Sequence, residues 1–342
     1  MNPAREAVVR AGRANALVDV AGLRVGHAER VGGGYRTGTT VVLAPPGGMV
    51  AGVDVRGAAP GTRETELLDP RNLVERVHAI TLTGGSAYGL SAACGVMERL
   101  ADVGIGFPVE GGVVPIVPAA VIYDLGRGGL FRAVPDAGLG AAAHDAASPA
   151  EARSGSVGAG AGAVAGGLAG GVGTASAVLP SGVTVAALAV VNAAGSVLDP
   201  GRALLSGTRY GLPGEFGPLR EPSAEESDAW RPVAVTSFNT TIGVVATDAT
   251  LTKAQCGKLA GVAHDGLARA IRPAHTMVDG DTIFGLATCG EPAPDPGGLQ
   301  DLLAAGADVF SRAVAHAMLT ATGREGAPAY LDVFPSALGG VA

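Results

Sequence analysis

The chain has 342 residues, of which 47% are apolar and only 16% charged, and a net charge of -7 from 24 basic and 31 acidic side chains. There is no basic run, which makes nucleic acid and anionic membrane surfaces poor partners. A chain this sparing of charge, against the usual quarter, must hide much of its surface in a large core or against other subunits. Large single α/β domains reach this length.

The start, MNPAREAVVRAGRANALVDVAGLRVGHAER, lacks the uninterrupted apolar region of a signal peptide. No stretch offers the roughly 18 apolar residues expected of a membrane span. Strands are predicted at Thr39–Ala44 (TTVVLA) and Val77–Gly85 (VHAITLTGG). SAYGLSAACGVMERLADVG then reads as a helix, with Leu90, Cys94, Met97 and Leu100 on one face. VPIVPAAVIYDLG is an extended segment ending near Tyr123 and Asp124.

From Ser154 to Leu198 there is no charged residue. The first half of that stretch, GSVGAGAGAVAGGLAGGVGTAS, is small-residue backbone suited to close approach. The second half, GVTVAALAVVNAAGSVLD, reads as a fully buried strand, a turn and the start of another strand. Residues 211–232, GLPGEFGPLREPSAEESDAWRP, turn abruptly rich in Pro, Glu and Ser and read as a flexible connection. VAVTSFNTTIGVVATDATL follows, apolar and β-rich. A helix is predicted over TKAQCGKLAGVAHDGLARAI, its start marked by a Thr252/Gln255 capping box. HTMVDGDTIFGLAT is a turn entering a strand, and GLQDLLAAGADVFSRAVAHAMLTAT is a long closing helix. Strands and helices mix without strict alternation, which favours stacked sheets covered by helices.

Several chemistries lack their residues. Gly160-x-Gly162-x-x-Ala165 is a loose dinucleotide fingerprint without the later acidic residue, so packed glycine backbone is the better account. The six histidines show no metal-ligand spacing, and no GxSxG elbow is present. Cys94, Cys256 and Cys289 are odd in number and far apart, which argues against a disulfide framework or metal cluster and for a reducing cytoplasm. No metal or cofactor is expected. Asp279-Gly-Asp281 could be a plain turn or a carboxylate pair.

Asn239-Thr240-Thr241 has the form of a glycosylation acceptor, but the apolar IGVVAT behind it reads as core. As chemistry it offers a nucleophile: a cut before Thr240 would put an α-amine on the residue that carries the hydroxyl. The unperturbed pKa of such an amine, about 7.7–8.0, suits it to act as base.

A set of segments in order carries a resemblance. DVAGLRVGHAE, GAAPGTRETELL, LTGGSAYGL, VIYD, GAGAGAVAGG, AVVNAAGSV, NTTIGVVATDATLT and IRPAHTMVDGDTIF together resemble the P1 family of self-processing peptidases. That family includes L-aminopeptidase/D-amidases, β-peptidyl aminopeptidases, a pantetheine-cleaving hydrolase and nylon-oligomer hydrolases. The resemblance implies a four-layer α/β/β/α sandwich of the type shared with ornithine acetyltransferase. It implies one domain over 1–342, self-cleaved into an α chain (1–239) and a β chain (240–342) that stay together, with tetramers of αβ units. It makes Asn239–Thr240 the scissile bond, Thr240 the nucleophile, Asn192 the oxyanion donor, and Asp279 and Asp281 the carboxylates beside the nucleophile. Tyr123 matches a tyrosine near the substrate. One departure is plain: where relatives carry a lysine after the glycine-rich segment, this chain has Gly167 or Ala169. The expected activity is hydrolysis of small peptides or amides. An acyltransferase or an uncut binding protein on the same fold are the competing readings.

Overall fold

Two runs of small and β-branched residues, TVAALAVVN and TTIGVVATDA, have no polar face to offer water, and both form strands buried on either side. The computed structural model, which describes residues 8–231 and 238–339, builds the fold around them. Residues 232–237, the end of the predicted connection and the VAVTS that follows, lie outside the described residues, as do 1–7 of the quoted N-terminus.

In chain order the main strands are β1 (Arg24–Gly32), β2 (Tyr35–Leu43), β3 (Val50–Val55), β4 (Thr62–Arg63), β5 (Ala79–Thr83) and β6 (Ala119–Val121). They continue with β7 (Gly171–Val178), β8 (Thr184–Asn192), β9 (Thr240–Ala249) and β10 (Thr282–Glu291). The helices used below are α1 (Ala92–Asp102), α2 (Ala137–Asp145), α3 (Ala224–Ala229), α4 (Lys253–Ala270) and α5 (Pro296–Thr320). The strands make two five-stranded sheets, ordered β1-β2-β5-β6-β4 and β7-β8-β9-β10-β3. β9 pairs antiparallel with β8 and parallel with β10, the crossover being α4.

Side-chain alternation assigns the layers. Val42, Ile80 and Leu82 of the first sheet meet Leu188, Val190, Ile242, Val244 and Phe284 of the second in one apolar cluster. Their neighbours Val41, Leu43 and Ala79 face the other way, onto Ala93, Val96 and Leu100 of α1 and Ala143 of α2. On the far side Val185, Ala187, Val191, Val245 and Ile283 pack under Leu259 and Leu267 of α4 and Phe310 and Val314 of α5. The order is helices, sheet, sheet, helices: the expected α/β/β/α sandwich.

Glycines set how closely the outer helices approach. A Cβ on Gly285 would lie 2.0 Å from the Cys256 carbonyl oxygen, and one on Gly173 would lie 1.9 Å from that of Ala313. The capping box stands as predicted: Thr252 N–H donates to Gln255 Oε1 at 2.9 Å and Gln255 N–H to Thr252 Oγ1 at 3.3 Å. α5 is long and apolar enough to cross a membrane by length and mean hydropathy (1.3), but 72% of that window is buried within the protein.

Where the sequence reads as a flexible connection, residues 211–231 carry defined contacts. Ser223 caps α3, and Glu215 binds the buried Arg312 of α5 (Nε–Oε2 2.6 Å) together with His316 (2.8 Å) and Asn15 (2.8 Å). Burial alone would raise the Glu215 carboxyl, but hydrogen bonds from His316 and Arg312 outweigh it and hold the group well below the usual range. The carboxylate's contribution is therefore complete above its ordinary value of 4.5 and is lost as pH falls through the lower folded value. Glu215→Ala strands the Arg312 charge and is expected to cost about 3–5 kcal/mol in a urea titration at neutral pH. The difference from wild type should shrink as the pH is lowered below 4.5.

Candidate active site

The register of the second sheet makes the site. Asn192, the last residue of β8, stands directly opposite Thr240, the first of β9. Directly opposed residues project to one face with Cβ atoms about 5 Å apart. By alternation from Val190 and Ile242, that face is the one between the sheets, at the end of the inter-sheet core. Both residues are buried.

Thr240 donates its hydroxyl hydrogen bond to the carbonyl oxygen of Asn239. The same oxygen accepts from the Gly280 N–H at 3.2 Å, so this carbonyl is already polarised by a backbone donor. Gly280 has little room for a side chain: a Cβ there would lie 2.6 Å from the Ala59 carbonyl oxygen and 3.0 Å from Thr240 Oγ.

The turn that presents Gly280 is held by its two aspartates, both buried. Asp279 accepts from Thr276 N–H at 3.1 Å, from the Thr276 hydroxyl and from Ala194 N–H at 3.3 Å, the last tying it to the segment after Asn192. Asp281 accepts from Thr241 N–H at 2.7 Å and from His275, through N–H at 3.0 Å and Nδ1 at 2.8 Å. The GAAPG stretch closes over the turn, with Arg56 and Gly57 N–H on the Asp281 carbonyl and Ala59 N–H on that of Asp279.

Asn192 is oriented from behind. Its Oδ1 accepts from the Arg127 guanidinium and from Val164 N–H at 3.1 Å, while Nδ2 donates to the Tyr123 carbonyl at 3.2 Å. Arg127 has only donors, so the amide oxygen must face it and the N–H₂ must face the other way. Burial lowers the pKa of Arg127, and burial and the Arg127 charge bring Arg324 down to about 10. Burial raises the carboxyl of the adjoining Asp124. The Tyr123 ring sits 5.9 Å from that of Phe238, and both line a cavity of about 380 Å³ that opens on Thr240.

The structure thus brings Thr240, Asn239, Asn192, Asp279, Asp281 and Tyr123 into one locus. Sequence reasoning passed over Arg127, His275 and Gly280. Arg127 is a single arginine four residues after Tyr123, and His275 lies within the IRPAHTMVDGDTIF segment that carried the resemblance; neither shows its partner in the chain. At the lysine departure, Gly167 has a φ of +88°, where any side chain is strained. Cationic charge reaches this neighbourhood instead from Arg127 and Arg324, both bonded to the Gly162 carbonyl, at 2.7 and 2.9 Å.

A sandwich with a hydroxyl held on a polarised carbonyl is a scaffold for amide chemistry, and the sequence agrees. The model of peptidase family S58 matches residues 15–329, and the chain belongs to that family of peptide- and amide-bond hydrolases. It is 50% identical to an uncharacterized aminopeptidase of Mycobacterium bovis over 95% of this chain and 99% of that one. It is 32% identical to the 6-aminohexanoate-oligomer endohydrolase of a Kocuria species over 81% of this chain and 76% of that one. In structure it resembles a Burkholderia β-aminopeptidase, with a TM-score of 0.72, 23% identity, and coverage of 99% and 98% of the two chains.

Proposed function

We propose that Thr240 is both the residue before which the chain cuts itself and the nucleophile of the mature enzyme, an N-terminal-threonine hydrolase of small peptides or amides. The observation that carries this reading is the Thr240 hydroxyl on the Asn239 carbonyl, itself held by Gly280 N–H. In processing, Thr240 Oγ bonds to the Asn239 carbonyl carbon and the C–N bond breaks. The hydroxyl proton passes to the departing amine. Water then hydrolyses the ester, leaving a carboxylate on Asn239 and restoring the hydroxyl.

In turnover the freed α-amine takes the proton from Oγ as it attacks the substrate carbonyl, and returns it to the leaving amine; water then hydrolyses the Thr240 ester, releasing the carboxylic acid and restoring the hydroxyl. The Asn192 amide N–H stabilises the developing oxyanion. Asp281, bonded to Thr241 N–H, and Asp279, bonded to Ala194 N–H, fix the backbone on either side of this pair. Nearby anions also favour the charged form of the new amine. The two chains stay together because β9 and β10 of the β chain lie between β8 and β3 of the α chain. The low charge content supports further assembly of αβ units, as tetramers in the resemblance.

On a denaturing gel, wild-type protein should give two fragments, the shorter beginning at Thr240 by N-terminal sequencing. A single full-length band after prolonged incubation would defeat the self-cleavage reading.

A further inference from the structure

We infer that His275 is a positioning residue of the mature site: its ring clamps Asp281, and Asp281 in turn holds Thr240 once the bond to Asn239 has gone. This rests on Thr240 being the N-terminal nucleophile and adds how it stays aimed after the cut.

Before any cut the chain is anchored on both sides of the Asn239–Thr240 bond. Asn239 donates its N–H to the Val278 carbonyl at 3.0 Å and accepts Gly280 N–H at 3.2 Å. A cut before Thr240 releases it from that anchor. On the β8 side its pairing with Asn192 remains, but on the other side the β9–β10 ladder begins only at Ile242 and Thr282. Asp281 extends that ladder by one residue through its side chain, its Oδ1 accepting Thr241 N–H at 2.7 Å. The peptide between Thr240 and Thr241 is planar, so holding this N–H fixes the Cα from which the Thr240 hydroxyl and amine project.

Oδ1 stays on Thr241 only while the other oxygen is held. Among the described residues every hydrogen bond to Oδ2 comes from His275, through its N–H at 3.0 Å and Nδ1 at 2.8 Å. A carboxylate only accepts, so Nδ1 carries the hydrogen. His275 stands there at a backbone cost. Its φ of +58° is left-handed, which costs a residue other than glycine about 1–3 kcal/mol. Its Nε2 is buried with no hydrogen bond among the described residues. An apolar side chain would avoid that penalty, so stability alone does not require a histidine. Behind it the ring meets that of His264 edge to face, with 4.8 Å between centroids. Burial holds the pKa of His264 down to about 4, so it is neutral and gives its one N–H to the Asp54 carbonyl at 3.0 Å. α4 and β3 thus back the clamp.

Two substitutions separate the hydrogen bond from the packing. Asparagine places an amide N–H at the position of Nδ1 and tolerates left-handed backbone. Leucine keeps apolar bulk against His264 and has no donor. Both proteins are assayed on alanine p-nitroanilide at pH 7, with cutting followed on a denaturing gel. His275→Leu should still be cut, since Val278 and Gly280 hold Asn239. Its kcat should fall on the order of 10–100-fold, with KM within about threefold of wild type. His275→Asn should recover kcat to within about threefold of wild type. A packing role predicts the opposite order. Wild-type kcat in His275→Leu, an equal loss in His275→Asn, or an uncut His275→Leu chain overturns the inference. Should the leucine variant not fold, His275→Gly, unstrained in left-handed backbone, takes its place with the same expectations. Failure of the Thr240 reading shows separately, as an uncut wild-type chain, and the inference falls with it. If the wild type is cut but leaves the anilide intact, hydrogen exchange at Thr241 N–H decides. Exchange on the order of tenfold faster in His275→Leu than in wild type and His275→Asn supports the clamp; any other pattern overturns it.

Discussion

Thr240→Ala is expected to remain one full-length chain and to lose amide hydrolysis by a factor on the order of 10⁴ or more, as loss of a nucleophile does elsewhere. The same hydroxyl is asked to break the Asn239–Thr240 bond and to acylate on substrate, so one atom removes both functions. The fold should survive, because Thr240 begins a strand whose remaining nine residues are all buried. Circular dichroism and the melting curve check that. Thr240→Ser keeps a hydroxyl and should still be cut. Amide hydrolysis at the wild-type rate by the uncut Ala variant would sink the assignment.

Asn192 should separate the two reactions. The Asn239 carbonyl, proposed as the one attacked in processing, receives Gly280 N–H, whereas the carbonyl of an external substrate is proposed to meet the Asn192 amide. Asn192→Asp keeps an acceptor for Arg127 and Val164 but removes the N–H. It should still yield both fragments while kcat falls on the order of 10²–10³, with KM changed far less. Asn192→Ala should lose as much activity and also take one acceptor from the buried Arg127, leaving it the Gly162 carbonyl, so its melting temperature should fall further. Wild-type kcat in Asn192→Asp would remove asparagine from the oxyanion site.

The sequence was most legible where one physical demand dominated a segment. β8 and β9 are buried on both faces, so their runs of Val, Ala and Thr announced strands without any periodicity. α4 carried a capping box and helical spacing together, and its limits followed. β1, with His27, Glu29 and Arg30 among its residues, and α2, built largely of Ala and Gly, gave weaker signals and were not read as elements. The helix predicted after Gly85 is divided: Ser86–Gly89 is a separate turn before α1, entered through left-handed backbone at Gly85 and Ser86, with Leu90 and Ser91 keeping helical dihedrals between the two.

The site divides similarly. Thr240, Asn192 and the aspartates came from a pattern spread along the chain, since spacing alone gave only a common NTT triplet and a DG turn. What joins them is a strand register, the pairing of Asn192 with Thr240, which depends on 47 intervening residues folding out of the way. Arg127 could not be foreseen because its importance lies in its partner, an amide oxygen 65 positions later. The 211–231 segment looked mobile by composition, but its acidic residue Glu215 is the counter-charge of a buried arginine nearly a hundred residues away.

The position of β9 in the middle of its sheet has one more consequence. Before the cut, a denatured molecule regains that strand by folding a single chain. After the proposed cut, β9 would have to be returned to β8 by a second polypeptide, so the return would become bimolecular and depend on concentration. The mature protein would then be sustained by the slowness of its unfolding more than by its ability to refold. Self-cleavage would make assembly a one-way event in the molecule's life.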